Sequence, residues 1–274
     1  MQTQYRPKNH YRNLLFYSTS LLAICSFYWV FPLYPQPENY HDFSGDQMLL
    51  GIPNFMNVTS NIFYIIAGIW GLYKVKNSYF MLPTIRWQLF FITIIGVGIG
   101  SSYYHFSPAT NTLFWDRLPM SLGFAFLSAN FLAERYTAFK TRTTLLLIIG
   151  FSLYSVIHWH LGEMIDLGDL RLYGITQFAT IALIGFILIF HPQHPRLDHP
   201  YWILFLGYGI AKICEMLDPT IFALSHGLLG GHVIKHIISG IALICFMPPL
   251  RAHFNFPSSL LTRSLKTSKN NINL

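Results

Sequence analysis

Long apolar runs broken by short polar connections recur along the chain, at about 14–32, 54–75, 85–105, 113–133, 143–160, 170–190, 201–217 and 226–248. A helix needs about 20 mainly apolar residues to cross a bilayer, and runs of this length and spacing predict eight membrane helices. The connections carry Pro, Asn, Asp and Lys, as turns at a membrane surface do. No internal repeat accompanies the pattern.

The polar stretches refine this layout. Residues 1–13 are basic (Arg6, Lys8, Arg12), and a basic start before an apolar run resembles a signal peptide. The far end of that run, FYWVFPLYP, lacks the small residues that a signal peptidase requires, so it is read as a retained helix. The loop 33–53 holds Glu38, Asp42 and Asp46 but no Lys or Arg, and the Ser/Thr/Asn/Lys-rich tail 251–274 reads as flexible. With eight helices, Lys74, Lys76, Arg86, Arg135, Lys140, Arg142, Arg196 and the basic residues of both ends share one side. That asymmetry predicts a multi-pass integral membrane protein with both termini in the cytoplasm.

Composition agrees. Charged residues make up 11% of the chain and apolar ones 53%, whereas a soluble domain carries roughly 25% charged residues. The net charge of +7 does not point to nucleic acid, because the basic residues lie in short loops and ends with no basic, aromatic groove. Cys25, Cys214 and Cys245 all fall in apolar segments, which implies no disulfide framework.

Against this background the polar residues inside the runs carry the chemistry, since ionisable groups at bilayer depth are costly and usually functional. His232 and His236 stand four residues apart and therefore share a helix face. Ser101 and His105 have the same spacing at the end of the third run, and Asp116 opens the fourth. The eight-helix layout puts all five at a similar level on the extracytoplasmic side. Three neutral imidazoles with an open fourth position form the common arrangement for catalytic zinc, so His105, His232 and His236 are the candidate ligands. Asp116 can deprotonate a water and return the proton to a leaving amine, while Ser101 can donate to a carbonyl oxygen that gains charge. The implied chemistry is hydrolysis of an amide or ester whose acyl chains reach the site from the bilayer.

Plainer readings stand beside these. Ser101 follows Gly96, Gly98 and Gly100 and also suits close helix packing, and Asp116 also suits a helix start paired with Arg117. His226 falls on another face. Lys235 is expected to point off the histidine face and to pair with Glu215 or Asp218. His158, His160 and Glu163 form a second polar set at a helix end, and His191, His194 and His199 lie in a proline-rich turn.

The order and spacing of GSSYYH (100–105), WDRLPM (115–120) and GHVIKH (231–236), with NFMNVTSN (54–61) opening the first core helix, resemble the alkaline ceramidases. These belong to a superfamily of membrane hydrolases that includes the adiponectin and progestin receptor relatives. The resemblance implies an all-α membrane bundle with a seven-helix core at 40–250, preceded by one extra N-terminal helix within 1–39 and followed by the tail 251–274. It implies zinc on His105, His232 and His236, Ser101 and Asp116 as catalytic groups, and ceramide as the lipid substrate. Eukaryotic members hold calcium with an acidic, Trp-containing stretch; HDFSGDQ (41–47) keeps part of it, making Asp42, Asp46 and Asn54 the candidate Ca2+ ligands. The short chain looks more like the bacterial members. Two other functions fit parts of the pattern: a receptor-like protein with a structural zinc, and a haem-carrying electron-transfer protein that leaves Asp116 idle.

Overall fold

In the computed structural model, which describes residues 26, 29–45, 47–78 and 80–249, the apolar runs form seven principal helices. They are α1 (Phe55–Lys76), α2 (Thr84–Phe106), α3 (Thr110–Arg135), α4 (Arg142–Glu163), α5 (Arg171–Phe190), α6 (Pro195–Met216) and α7 (Gly231–Cys245). A short helix, Asp218–Leu224, joins α6 to α7. Among the described residues there is no strand, only an isolated bridge between Leu49 and Ile52. Among the described residues four helices, α1, α2, α4 and α5, are long and apolar enough to cross a membrane. By length and composition this is a helical membrane protein.

Side chains explain the local irregularities. In α1, Thr59 Oγ1 donates to the Phe55 carbonyl (2.7 Å) and Asn61 Nδ2 to the Asn57 carbonyl (2.8 Å), and the helix is interrupted at Ser60 and Asn61. Such bonds compete with the backbone ladder. In α5 a π turn spans Ile175–Ala179, a form that recurs at functional sites. In α3, Pro119 has no N–H to give the Trp115 carbonyl four residues back.

Small residues let the helices close. A Cβ on Gly71 would overlap the Phe91 ring, and one on Gly98 would meet Ile65, so α1 and α2 approach closely. A cluster around Trp87, Phe90, Phe91, Phe131, Tyr201 and Phe246 fills one end of the bundle. A second, around Tyr104, Leu113, Val156, Trp159 and Tyr173, fills the other.

Two expected boundaries move. The last helix begins at Gly231 rather than 226, because His226 (φ 54°) and Gly227 (φ 79°) turn left-handed and Gly230 is extended. Helix α6 begins at Pro195 rather than 201, with the His194 side chain accepting from the Arg196 amide (3.2 Å) as a cap. The expected first helix (14–32) lies largely outside the described residues, as do Cys25, Asp46 and the tail 251–274.

Candidate metal centre

His105 sits on the last turn of α2, where the Asn54 side-chain amide donates to its carbonyl at 2.9 Å. His232 and His236 occupy the first two turns of α7. That helix start is braced by Asp218, whose carboxylate accepts from the His232 amide (2.8 Å) and from the Ser44 amide (2.9 Å). A Cβ on Gly231 would overlap the Cys214 carbonyl, so glycine is what lets α7 begin against the end of α6.

These elements bring the three imidazoles together in a buried group whose candidate ligand atoms all lie within 4.8 Å of one another. His105 Nε2 and His232 Nε2 are 3.2 Å apart. A tetrahedral zinc with Zn–N bonds of 2.0–2.1 Å sets its ligand nitrogens about 3.3 Å apart, so this spacing fits the ion. Ser60 Oγ lies 2.8 Å from His236 Nδ1, leaving Nε2 of that ring for a metal. The Phe43 ring covers the pair, with its centroid 4.6 Å from that of His105 and 4.5 Å from that of His232. An all-nitrogen set of three buried imidazoles suits zinc among the divalent ions.

Ser101 and Asp116 are brought to the same place by a backbone fit. The Trp115 carbonyl, deprived of its helical donor by Pro119, lies against Gly100, where a Cβ would overlap it. The next residue on each helix is then Ser101 and Asp116, and the Ser101 hydroxyl lies beside the Asp116 carboxylate. Both are buried, and Asp116 Oδ1 has no hydrogen-bond partner. Ser101, Asp116 and His236 line one cavity of about 780 Å³. The glycines of α2 serve helix packing, and Ser101 faces the cavity.

One expectation is corrected. Lys235 does not turn away from the histidines: its Nζ is 2.9 Å from both Glu215 Oε1 and His232 Nε2. Residues three apart are neighbours on a helix surface, and Glu215 on α6 draws the long side chain across. Asp116 is not paired with Arg117; the guanidinium packs instead over Trp159, Tyr173 and Tyr40. Of the calcium candidates, Asp42 is exposed, Asn54 donates its side-chain Nδ2 to the His105 carbonyl and keeps its Oδ1 for other partners, and Asp46 falls outside the described residues. His158, His160 and Glu163 form no metal group: Glu163 Oε1 accepts from Trp159 Nε1 (2.9 Å) and the Gln36 amide (2.7 Å).

Outside the membrane helices, His41 bonds through Nδ1 to the Tyr104 hydroxyl (2.8 Å). Burial first, and then the nearby Arg117 charge, hold its pKa below the usual histidine value, with Asp42 opposing. Sequence reasoning assigned no role to Ser60 or Phe43, whereas the expected pairing of Lys235 with Glu215 forms, and it does so beside His232. A hydroxyl inside an apolar run was the only available signal for Ser60.

A family model described as Ceramidase matches residues 48–210, more than half of the chain. The matched segment contains Ser101, His105 and Asp116 and stops short of His232 and His236. No curated protein matches the chain.

Proposed function

The chain belongs to the ceramidase family, and from that premise we propose that it is a zinc-dependent intramembrane amidase. It cleaves ceramide or a related N-acyl lipid to a fatty acid and a sphingoid-type amine. The observation that carries this reading is the convergence of His105, His232 and His236 within 4.8 Å beside a cavity lined by Ser101 and Asp116.

His105, His232 and His236 hold the zinc in this reading. When bound, the ion supplies Lewis acidity and lowers the pKa of a water at its open position. Asp116 takes a proton from the water that attacks the amide carbon. Ser101 donates a hydrogen bond to the carbonyl oxygen as that oxygen gains charge. Asp116 then passes the proton to the amine nitrogen as the C–N bond breaks, leaving a carboxylic acid and a free amine. Ser60 keeps the His236 ring in place, and Phe43 excludes water from the histidine side.

The cavity supports a lipid substrate. Phe90, Ile94 and Val97 lead up α2 to Ser101, while Met120, Phe124 and Leu127 lead along α3 from Asp116. Acyl chains lie along this apolar lining. The remaining proposals follow from the layout: a seven-helix membrane domain at 40–250, an extra helix within 1–39, both termini cytoplasmic, and the site on the extracytoplasmic side.

The test is release of fatty acid from ceramide by the purified, zinc-loaded protein. Activity lost on chelation and in His232→Ala supports the reading. Activity that survives metal removal overturns it, and zinc retained without turnover favours the receptor-like alternative.

A further inference from the structure

Beyond Asp116 the same cavity contains a charge that the reaction does not use. Arg117 is buried, at 4% exposure, and its Nη1 has no hydrogen-bond partner. Among the described residues no carboxylate forms an ion pair with it, the neighbouring Asp116 included. Adjacent residues on a helix point to different sides. The guanidinium carbon lies 4.3 Å from the Trp159 ring centroid, 4.9 Å from that of Tyr173 and 5.2 Å from that of Tyr40. Aromatic faces stabilise the cation and hold its plane, but the N–H donors radiate in that plane and stay available to an acceptor. A buried arginine in a membrane bundle without a partner marks a functional position.

The cavity is also polar in one direction. Its apolar lining runs away from Ser101 and Asp116 along α2 and α3, through Ile94, Phe90, Phe124 and Leu127. Arg117 is held at the opposite end by Tyr40 of the loop before α1, Trp159 near the end of α4 and Tyr173 near the start of α5. Of the six charged residues that line the cavity, four are basic: Arg117, Arg171, Lys212 and Lys235, against Asp116 and Glu215. Both lysines are paired with Glu215, and Arg171 with Asp169. Arg117 is the basic residue among these left without a carboxylate.

We infer that Arg117 forms a subsite for an anionic head group, so that the substrate class is an N-acyl lipid whose amine portion carries a phosphate or carboxylate. The inference deepens the amidase reading and rests on it for the position of the scissile amide. The tail lies in the apolar lining, the amide at Ser101 and Asp116, and the anion in the plane of the guanidinium, where a bidentate pair forms. A neutral head leaves the same donors unsatisfied.

The experiment compares a ceramide with its 1-phosphate, identical in both chains, in neutral detergent micelles. Equilibrium binding and hydrolysis are each measured on zinc-loaded wild type, Arg117→Gln and Arg117→Lys. Wild type is expected to bind the phosphate form about tenfold or more tightly than the neutral form, as charge-assisted hydrogen bonds provide. Arg117→Gln removes that ratio, and Arg117→Lys, which keeps the charge and loses the fork, retains part of it. Zinc content of each variant reports an intact fold. Equal affinity for the two lipids in wild type, or a ratio unmoved by Arg117→Gln, overturns the inference. If neither lipid is cleaved the amidase reading fails, while the binding ratio still decides the role of Arg117.

Discussion

Ser60 and His236 lie 176 residues apart in the chain, and Ser60 Oγ stands 2.8 Å from His236 Nδ1. The break in α1 at Ser60 and Asn61 places that hydroxyl against α7. Partners that orient a ligating imidazole typically account for about 10–100-fold in metal affinity. Ser60→Ala is therefore expected to weaken zinc binding by about that factor, measured by competition with a chelating dye. Unchanged affinity would remove Ser60 from the centre.

Asp116 and Ser101 are separable from metal binding. Asp116→Asn is expected to lower kcat by about 10²–10⁴-fold, the usual contribution of a positioned acid or base. Ser101→Ala is expected to cost about 10²–10³-fold, as loss of one donor to a developing oxyanion does. Both variants should keep their zinc. Steady-state ceramide hydrolysis with metal analysis checks this, and loss of zinc in either would assign it a structural role instead.

Gly100 packs against the Trp115 carbonyl that Pro119 leaves free, so added volume there must push α2 and α3 apart. Overpacking a tight contact costs about 1–3 kcal/mol. Gly100→Ala should lower thermal stability in detergent by that order and reduce activity by separating Ser101 from Asp116. Gly150→Ala on α4, where a Cβ would meet nothing within 4 Å, should change stability by less than about 0.5 kcal/mol or raise it slightly. Equal shifts at the two positions would contradict the packing argument.

Glu215 holds the Lys235 ammonium, which also lies 2.9 Å from His232 Nε2. In Glu215→Gln that ammonium loses its carboxylate beside a proposed zinc ligand, which opposes binding of a second cation. Loss of a charged hydrogen bond costs about 1.5–3 kcal/mol, and zinc affinity should fall with it. Lys235→Met in the Glu215→Gln background should restore much of the zinc affinity, a coupling that a double-mutant cycle reads directly. Additive effects would mean that the two residues act independently.

The all-helical character of the bundle was legible in the sequence because apolar runs broken by polar connections mark where helices lie, although the starts of α6 and α7 fall elsewhere than expected. The same layout put His105, Asp116 and the final histidine pair at one depth, and those three histidines meet. Register and side-chain reach were not legible. No spacing rule states that Pro119 frees a carbonyl for Gly100, or that a hydroxyl in α1 meets a ring in α7. The pairing of Lys235 with Glu215 was legible, but its contact with His232 was not, because a helical wheel gives the direction of Cβ whereas four methylenes let Nζ swing back across the histidine face. The start of α7 was misjudged because left-handed turns at His226 and Gly227 carry no hydrophobic signal.

The central claim is that His105, His232 and His236 bind one zinc ion, and X-ray absorption at the zinc edge tests it most directly. The expected spectrum of the purified protein has one zinc per chain with three imidazole nitrogens at about 2.0–2.1 Å, a signal reduced or abolished in His232→Ala. A protein that binds no zinc, or a spectrum that is the same in wild type and His232→Ala, would contradict the account.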